Sequence, residues 1–215
     1  MSLVLALIPF GLVFGVTASE AGLTLLQSIG YSLLVFTGSA QFAAVEVLGD
    51  GGTVAAAVLS GLLLNLRSLA FGVVMAPAMV GSRLRRAAES QLMIDESVAV
   101  ATAQTDLRWR HYGYLAGGLA VFAMWNVTTI VGFSVVSSAG DVVEDWGLDV
   151  AGPAAFLALL WPRLARRDQQ ATALVGAAIA LTLVPITPAG VPIIAGALGV
   201  VAGRVPRERV RGSTR

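Results

Sequence analysis

Few side chains in this 215-residue chain are suited to chemistry on a small molecule, and they cluster. Arg67 sits inside an otherwise charge-free stretch, 52–80, with Asn65 two positions before it. A guanidinium presents a planar fork that holds a carboxylate through two bonds. Arg67 therefore reads either as a grip on a ligand carboxylate, or on an acid that titrates, or as half of a permanent ion pair with Glu46, Asp95 or Glu96 that fixes helix packing. Asn65 lies about 200° from Arg67 around a helix, so the two point to nearly opposite faces unless the helix is locally unwound.

The second cluster is the run Phe36-Thr37-Gly38-Ser39-Ala40-Gln41-Phe42. Gly38 can open a helix and leave backbone N–H groups to meet a carboxylate at a half-helix N-terminus. Ser39 and Gln41 can hydrogen-bond a ligand, and Phe42 can contact an aliphatic group. The competing reading is that small Gly38, Ser39 and Ala40 serve close helix packing, with Gln41 bonding a neighbouring helix. Phe156, in a similar Gly-Pro-containing run, is a second candidate for apolar contact. Glu46, Asp95 and Glu96 are the candidate proton carriers. Asp95 and Glu96 cannot act as a facing carboxylate dyad on one helix, because adjacent residues point about 100° apart.

Other chemistry finds no support. One His and no Cys leave no ligand set for a zinc, haem or iron–sulfur site, so no metal or cofactor is expected. The chain has no P-loop, G-x-G-x-x-G, H-E-x-x-H or G-x-S-x-G sequence, so an enzyme is not expected. A net charge of +1 gives no reason to expect nucleic acid.

The elements that hold these residues follow from composition. The chain is 56% hydrophobic and 13% charged, against about 25% charged in soluble domains. It is too poor in charge to coat a water-soluble globule, and an all-α, polytopic membrane protein is expected. Seven segments are predicted, at about 2–18, 23–48, 53–80, 112–138, 149–162, 170–185 and 189–203. The last two divide a charge-free run of 35 residues, 169–203, which as one helix of about 52 Å is too long for one crossing. Pro185, Pro188, Gly190 and Pro192 mark the hairpin between them. Thirteen of the 14 Arg fall in three regions, 83–110, 163–167 and 204–215. The positive-inside rule puts those regions in the cytoplasm. Crossing parity then agrees, with the N-terminus outside and the basic tail 204–215 inside. Residues 87–107 have basic flanks at both ends, so they make no net crossing. They read as either a cytoplasmic amphipathic helix or a re-entrant segment.

Gly38-Ser39-Ala40-Gln41-Phe42-Ala43-Ala44 and Gly152-Pro153-Ala154-Ala155-Phe156-Leu157-Ala158 both read G-x-A-x-F-x-A. They fall in segments of opposite direction. This predicts a single transmembrane domain, 1–215, built as a 3+3 inverted repeat with halves at about 1–80 and 112–186, a connection 81–111 and one extra helix. Gly11/Gly15, Gly113/Gly117 and Gly199/Gly203 are expected to mark packing surfaces. His111 is expected at the cytoplasmic interface, and Trp125, Trp146 and Trp161 at the interface or in packing.

Four landmarks stand in order: Ile8-Pro9-Phe10-Gly11 with Phe14-Gly15, Phe36 to Phe42, Asn65-Leu66-Arg67, and Asp95-Glu96-Ser97. Gly147-Leu148-Asp149 and Pro153-Ala154-Ala155-Phe156 follow. In order and spacing the chain resembles the AzlC family, the large subunit of branched-chain amino-acid exporters. The resemblance implies a transporter of the cytoplasmic membrane that exports leucine, isoleucine, valine or other hydrophobic amino acids, driven by the proton gradient. It also implies a small AzlD-type membrane protein as partner. The family's motif positions are Gly38, Ser39, Gln41, Phe42, Asn65, Arg67, Asp95 and Glu96. The alternatives are a channel, an exporter for another small solute, or a structural membrane subunit that transports nothing.

Overall fold

The computed structural model describes residues 2–139, Leu157, Leu160, Trp161 and 164–204. Among the described residues every regular element is helical. In an apolar environment a helix satisfies its backbone within one segment, which is what runs of Ala, Leu and Val without interior charge require. The helices are α1 (Ser2–Glu20), α2 (Leu25–Leu34), α3 (Ser39–Gly49), α4 (Val54–Asn65), α5 (Arg67–Met75), α6 (Arg83–Ser90), α7 (Asp95–Thr102) and α8 (Leu107–Ala139). After Trp161 come α9 (Arg167–Leu183), α10 (Val191–Gly196) and a 3₁₀ turn, Ala197–Arg204.

Side chains set several helix starts. Thr24 and Gln27 form a reciprocal capping box at α2, and Thr53 and Ser82 cap α4 and α6. Asp106 Oδ1 accepts the N–H groups of Arg108 at 2.8 Å and Trp109 at 3.2 Å, which starts α8.

The packing centre is α8, 33 residues long, against α1. Contact is close because glycines line it. A Cβ on Gly15 would fall on Thr129 O and 2.6 Å from Phe133 N, and one on Gly132 would fall on Leu12 O. Phe14, Phe42 and Trp125 form an aromatic cluster there, joined by Phe36 and Val121. At the far end, His111 Nδ1 lies 2.8 Å from Ala78 O and Tyr114 OH donates to Glu89 O at 2.6 Å. These bonds tie the chain after α5, and α6, to α8. His111 is buried there.

The outer surface carries Leu26, Leu34, Leu69 and Val73, each more than 70% exposed. An apolar exterior of this extent suits lipid and not water. The helix Leu107–Val135 is long and apolar enough to cross a membrane alone, and α4 with α5 passes the same test as a pair bent by 41°.

Three expectations are modified. The stretch 23–48 is not one continuous helix but α2 and α3, with Val35 to Gly38 between them. The stretch 53–80 is likewise two helices, α4 and α5, bent at Leu66. The stretch 87–107 is not a single helix: α6 ends at Ser90, and α7 starts at Asp95 and packs on α8. The hairpin after α9 falls between Leu183 and Val191, and Gly176 and Gly199 let its two arms touch backbone to backbone. Phe156 and most of segment 149–162, including most of the second G-x-A-x-F-x-A run, lie outside the described residues.

Candidate functional site

Two helix breaks and one helix start meet at a single place. The α2–α3 break is made by Gly38, whose φ of +58° and ψ of −93° suit a residue without a Cβ. Gln41 stabilises it from inside α3. Its Oε1 accepts the N–H groups of Gly38 at 3.1 Å and Thr37 at 3.4 Å. At the α4–α5 bend, Ser68 Oγ donates to Asn65 Oδ1 at 2.6 Å. The start of α7 is fixed by Ser97, which is fully buried. Its Oγ accepts Ile94 N–H at 3.1 Å and lies 2.6 Å from Leu92 O. Asp95 and Glu96 thereby occupy the first turn of α7, where a helix favours negative charge.

Arg67 joins all three. Its Nη1 donates to Asp95 Oδ2 at 2.7 Å. Its Nη2 donates to Ser39 Oγ at 2.9 Å and to Thr37 O at 3.1 Å. The side chains of Arg67 and Asp95 remain 28% and 26% exposed, because they face a cavity of about 320 Å³. Thr37, Gly38, Ser39, Arg67, Asp95 and Glu96 form its polar side. Phe10, Phe36, Ile94, Val121 and Trp125 are prominent among its apolar walls. The volume lies at the small end of ligand pockets, about 300–1,000 Å³. The chemistry is that of an amphipathic ligand. A guanidinium and two carboxylates face one part of it, and aromatic and branched side chains face the rest.

The sequence-derived candidates divide accordingly. Gly38, Ser39, Arg67, Asp95 and Glu96 line the cavity together. Of the three acids proposed for Arg67, Asp95 is the one it bonds. Gln41 and Phe42 are wholly buried and do not line the cavity. Gln41 caps the break, and Phe42 packs edge-on against Phe14 and Trp125. Asn65 faces a second, apolar cavity of about 410 Å³, with Gln27, Tyr31, Ala40, Ala44 and Gly61. Glu46 lines neither cavity, and Phe156 lies outside the described residues. Missed by sequence reasoning were Leu7, Phe10, Leu64, Ile94, Val121 and Trp125. Only position on the inner face distinguishes an apolar lining residue from an apolar core residue, and periodicity does not report it.

The family model described as AzlC protein matches residues 2–138. The inner membrane protein YgaZ of Escherichia coli K12 is 25% identical over 209 residues, covering 91% of this chain and 82% of that protein. An uncharacterized membrane protein of Archaeoglobus fulgidus is 30% identical over 204 residues, covering 91% of this chain and 86% of that protein. No solved structure matches. The match spans α1 to α8, and so includes both helix breaks, Arg67 and the acids it faces. With an apolar exterior and relatives named as membrane proteins, this chain is a membrane protein and belongs to the AzlC family.

Proposed function

We propose that this protein is the large subunit of a secondary transporter that exports branched-chain or other hydrophobic amino acids across the cytoplasmic membrane. The observation that carries this reading is Arg67 beside Asp95 and Glu96 in a small cavity with apolar walls. An α-amino acid has one carboxylate, one ammonium and a side chain. Arg67 meets the carboxylate, reinforced by the α3 N-terminus at Gly38 and Ser39. Asp95 and Glu96 meet the ammonium. Phe36, Ile94, Val121 and Trp125 meet the aliphatic side chain, and Phe156 is a further apolar contact in this reading.

Coupling to protons follows from the same acids. A carboxylate that holds the ammonium loses its grip when protonated, so a proton entering from outside expels substrate. Asp95 and Glu96 are the first candidates, with Glu46 as a third. Access alternates between two inverted triplets of helices, with seven crossings in all and a cytoplasmic C-terminus. A small AzlD-type membrane protein completes the transporter.

The test is counterflow of labelled leucine or valine into vesicles holding this chain and its small partner. Uptake that accelerates with internal unlabelled leucine, and responds to a pH gradient, is the expected result. Undiminished flux in Arg67→Ala removes the role given to Arg67. Downhill flux indifferent to the gradient identifies a channel instead.

A further inference from the structure

Trp125 has the burial of a packing residue, 5% exposed, yet part of it forms cavity wall. Its indole is held on two sides, stacked on Phe14 with centroids 6.1 Å apart and edge-on to Phe42 at 6.4 Å. Held in this way, the ring cannot swing aside without unpacking the α1–α8 core. Its outer edge reaches the helix break, where a Cβ on Gly38 would lie 3.8 Å from Trp125 Cη2. The residues either side of Gly38 are the ones that accept from Arg67 Nη2, through Thr37 O and Ser39 Oγ. The polar anchor and the rigid wall therefore meet within one residue of each other. Val121, one turn earlier on α8 and 2% exposed, continues the same wall.

We propose that Trp125, with Val121 beside it, sets the upper limit on the side chain the cavity accepts. Branched aliphatic side chains fit, and aromatic ones are turned away by the fixed indole. This rests on the cavity being the amino-acid site. A ligand fixed at Arg67 has its side chain placed by that anchor, so its length is measured against Trp125. A single methylene in such a pocket discriminates by about 10–200-fold, and replacing an indole by a smaller group changes the available space by several methylenes.

The experiment is competition in leucine counterflow, using the full chain with its small partner in vesicles. Unlabelled valine, leucine and phenylalanine compete in wild type, Trp125→Leu, Trp125→Phe and Val121→Phe. Trp125→Leu is expected to raise the potency of phenylalanine relative to leucine at least about tenfold, with the change in KM. Trp125→Phe shifts the ratio the same way, by less. Val121→Phe is expected to act in the opposite sense, lowering leucine relative to valine about tenfold. A structural defect lowers all substrates together and leaves the ratios alone, so unchanged ratios overturn the proposal. If Trp125→Leu does not accumulate, the other two variants decide it. Wild type that moves no amino acid refutes the transport reading and the filter with it. Wild type that moves leucine while the ratios stay fixed refutes the filter alone.

Discussion

Replacing Arg67 tests the central contact, and the structure shows which bonds are lost. Arg67→Met removes donors from three acceptors at once: Asp95 Oδ2, Ser39 Oγ and Thr37 O. Removing one partner of a buried ion pair costs about 3–5 kcal/mol, and an exposed pair contributes about 0.2–1 kcal/mol. Side chains about a quarter exposed to a cavity fall between, at about 2 kcal/mol for the pair. The two further bonds bring the loss to about 3 kcal/mol. Asp95→Asn keeps an acceptor and loses the charge, so it costs about 1–2 kcal/mol. The double variant has no charge left unpaired between these positions. Its loss is therefore smaller than the sum, with a coupling of about 1–2 kcal/mol. Equilibrium unfolding of the four purified proteins in mixed micelles, followed by circular dichroism against rising SDS fraction, measures all four corners. Glu46→Gln combined with Arg67→Met serves as the comparison and is expected to be additive, because Glu46 lies outside the cavity. Additivity within about 0.5 kcal/mol for Arg67 and Asp95 would mean that their contact contributes nothing, and the reasoning from it fails.

The other predictions concern the supports of the site. Gln41→Leu leaves the N–H of Gly38 without its acceptor, and leaves Thr37 N–H with Val35 O alone, in a partly buried setting. It should destabilise by about 2 kcal/mol and raise the KM for leucine, while Gln41→Glu, which keeps the acceptor, retains more of the apparent affinity. Gly132→Ala places a methyl on the backbone of α1 at Leu12, and should lower thermal stability in detergent by about 1–3 kcal/mol equivalent. Ser97→Ala removes the hydroxyl's bonds to Ile94 N–H and Leu92 O, leaving those two groups only each other, and should cost about 1–2 kcal/mol. It should also raise hydrogen exchange at the start of α7, which mass spectrometry of that peptide reads.

Some of this was legible because charge in an apolar sequence is sparse. Arg67 stands alone within 52–80, so few acids could pair with it, and Asp95 was among the three named. Gly38 was legible as a break because a glycine amid small polar residues is where a helix can open without strain. The bend at Leu66 was not legible. Leu66 carries no Pro or Gly signal, and the helix resumes directly at Arg67. Gln41 and Phe42 lie away from the cavity for a physical reason. Both follow Gly38 within one turn, but after the break α3 turns them into the interior, where Gln41 caps and Phe42 packs. The apolar wall was hidden among residues of the same type that simply fill the core.

The two breaks also explain why one short stretch of sequence serves two different surroundings. Phe36 to Ser39 line the polar cavity, whereas Val35 and Ala40, their immediate neighbours, line the apolar one. The second break repeats this: Leu64 and Arg67 face the polar cavity, and Asn65 faces the other. The wide angle between positions 65 and 67 expected of a helix is thus kept across the bend, and it places the two side chains in separate cavities. An interrupted helix exposes N–H and C=O groups that lipid cannot satisfy, so such breaks persist where they border protein or a cavity. Here both breaks form the partition between two cavities, and their loose backbone and side-chain groups bond to Gln41, Arg67 and Ser68. The interrupted backbone of the site thus lies at the start of α3 and the start of α5, and Val121 and Trp125 of α8 form part of the apolar wall that faces it.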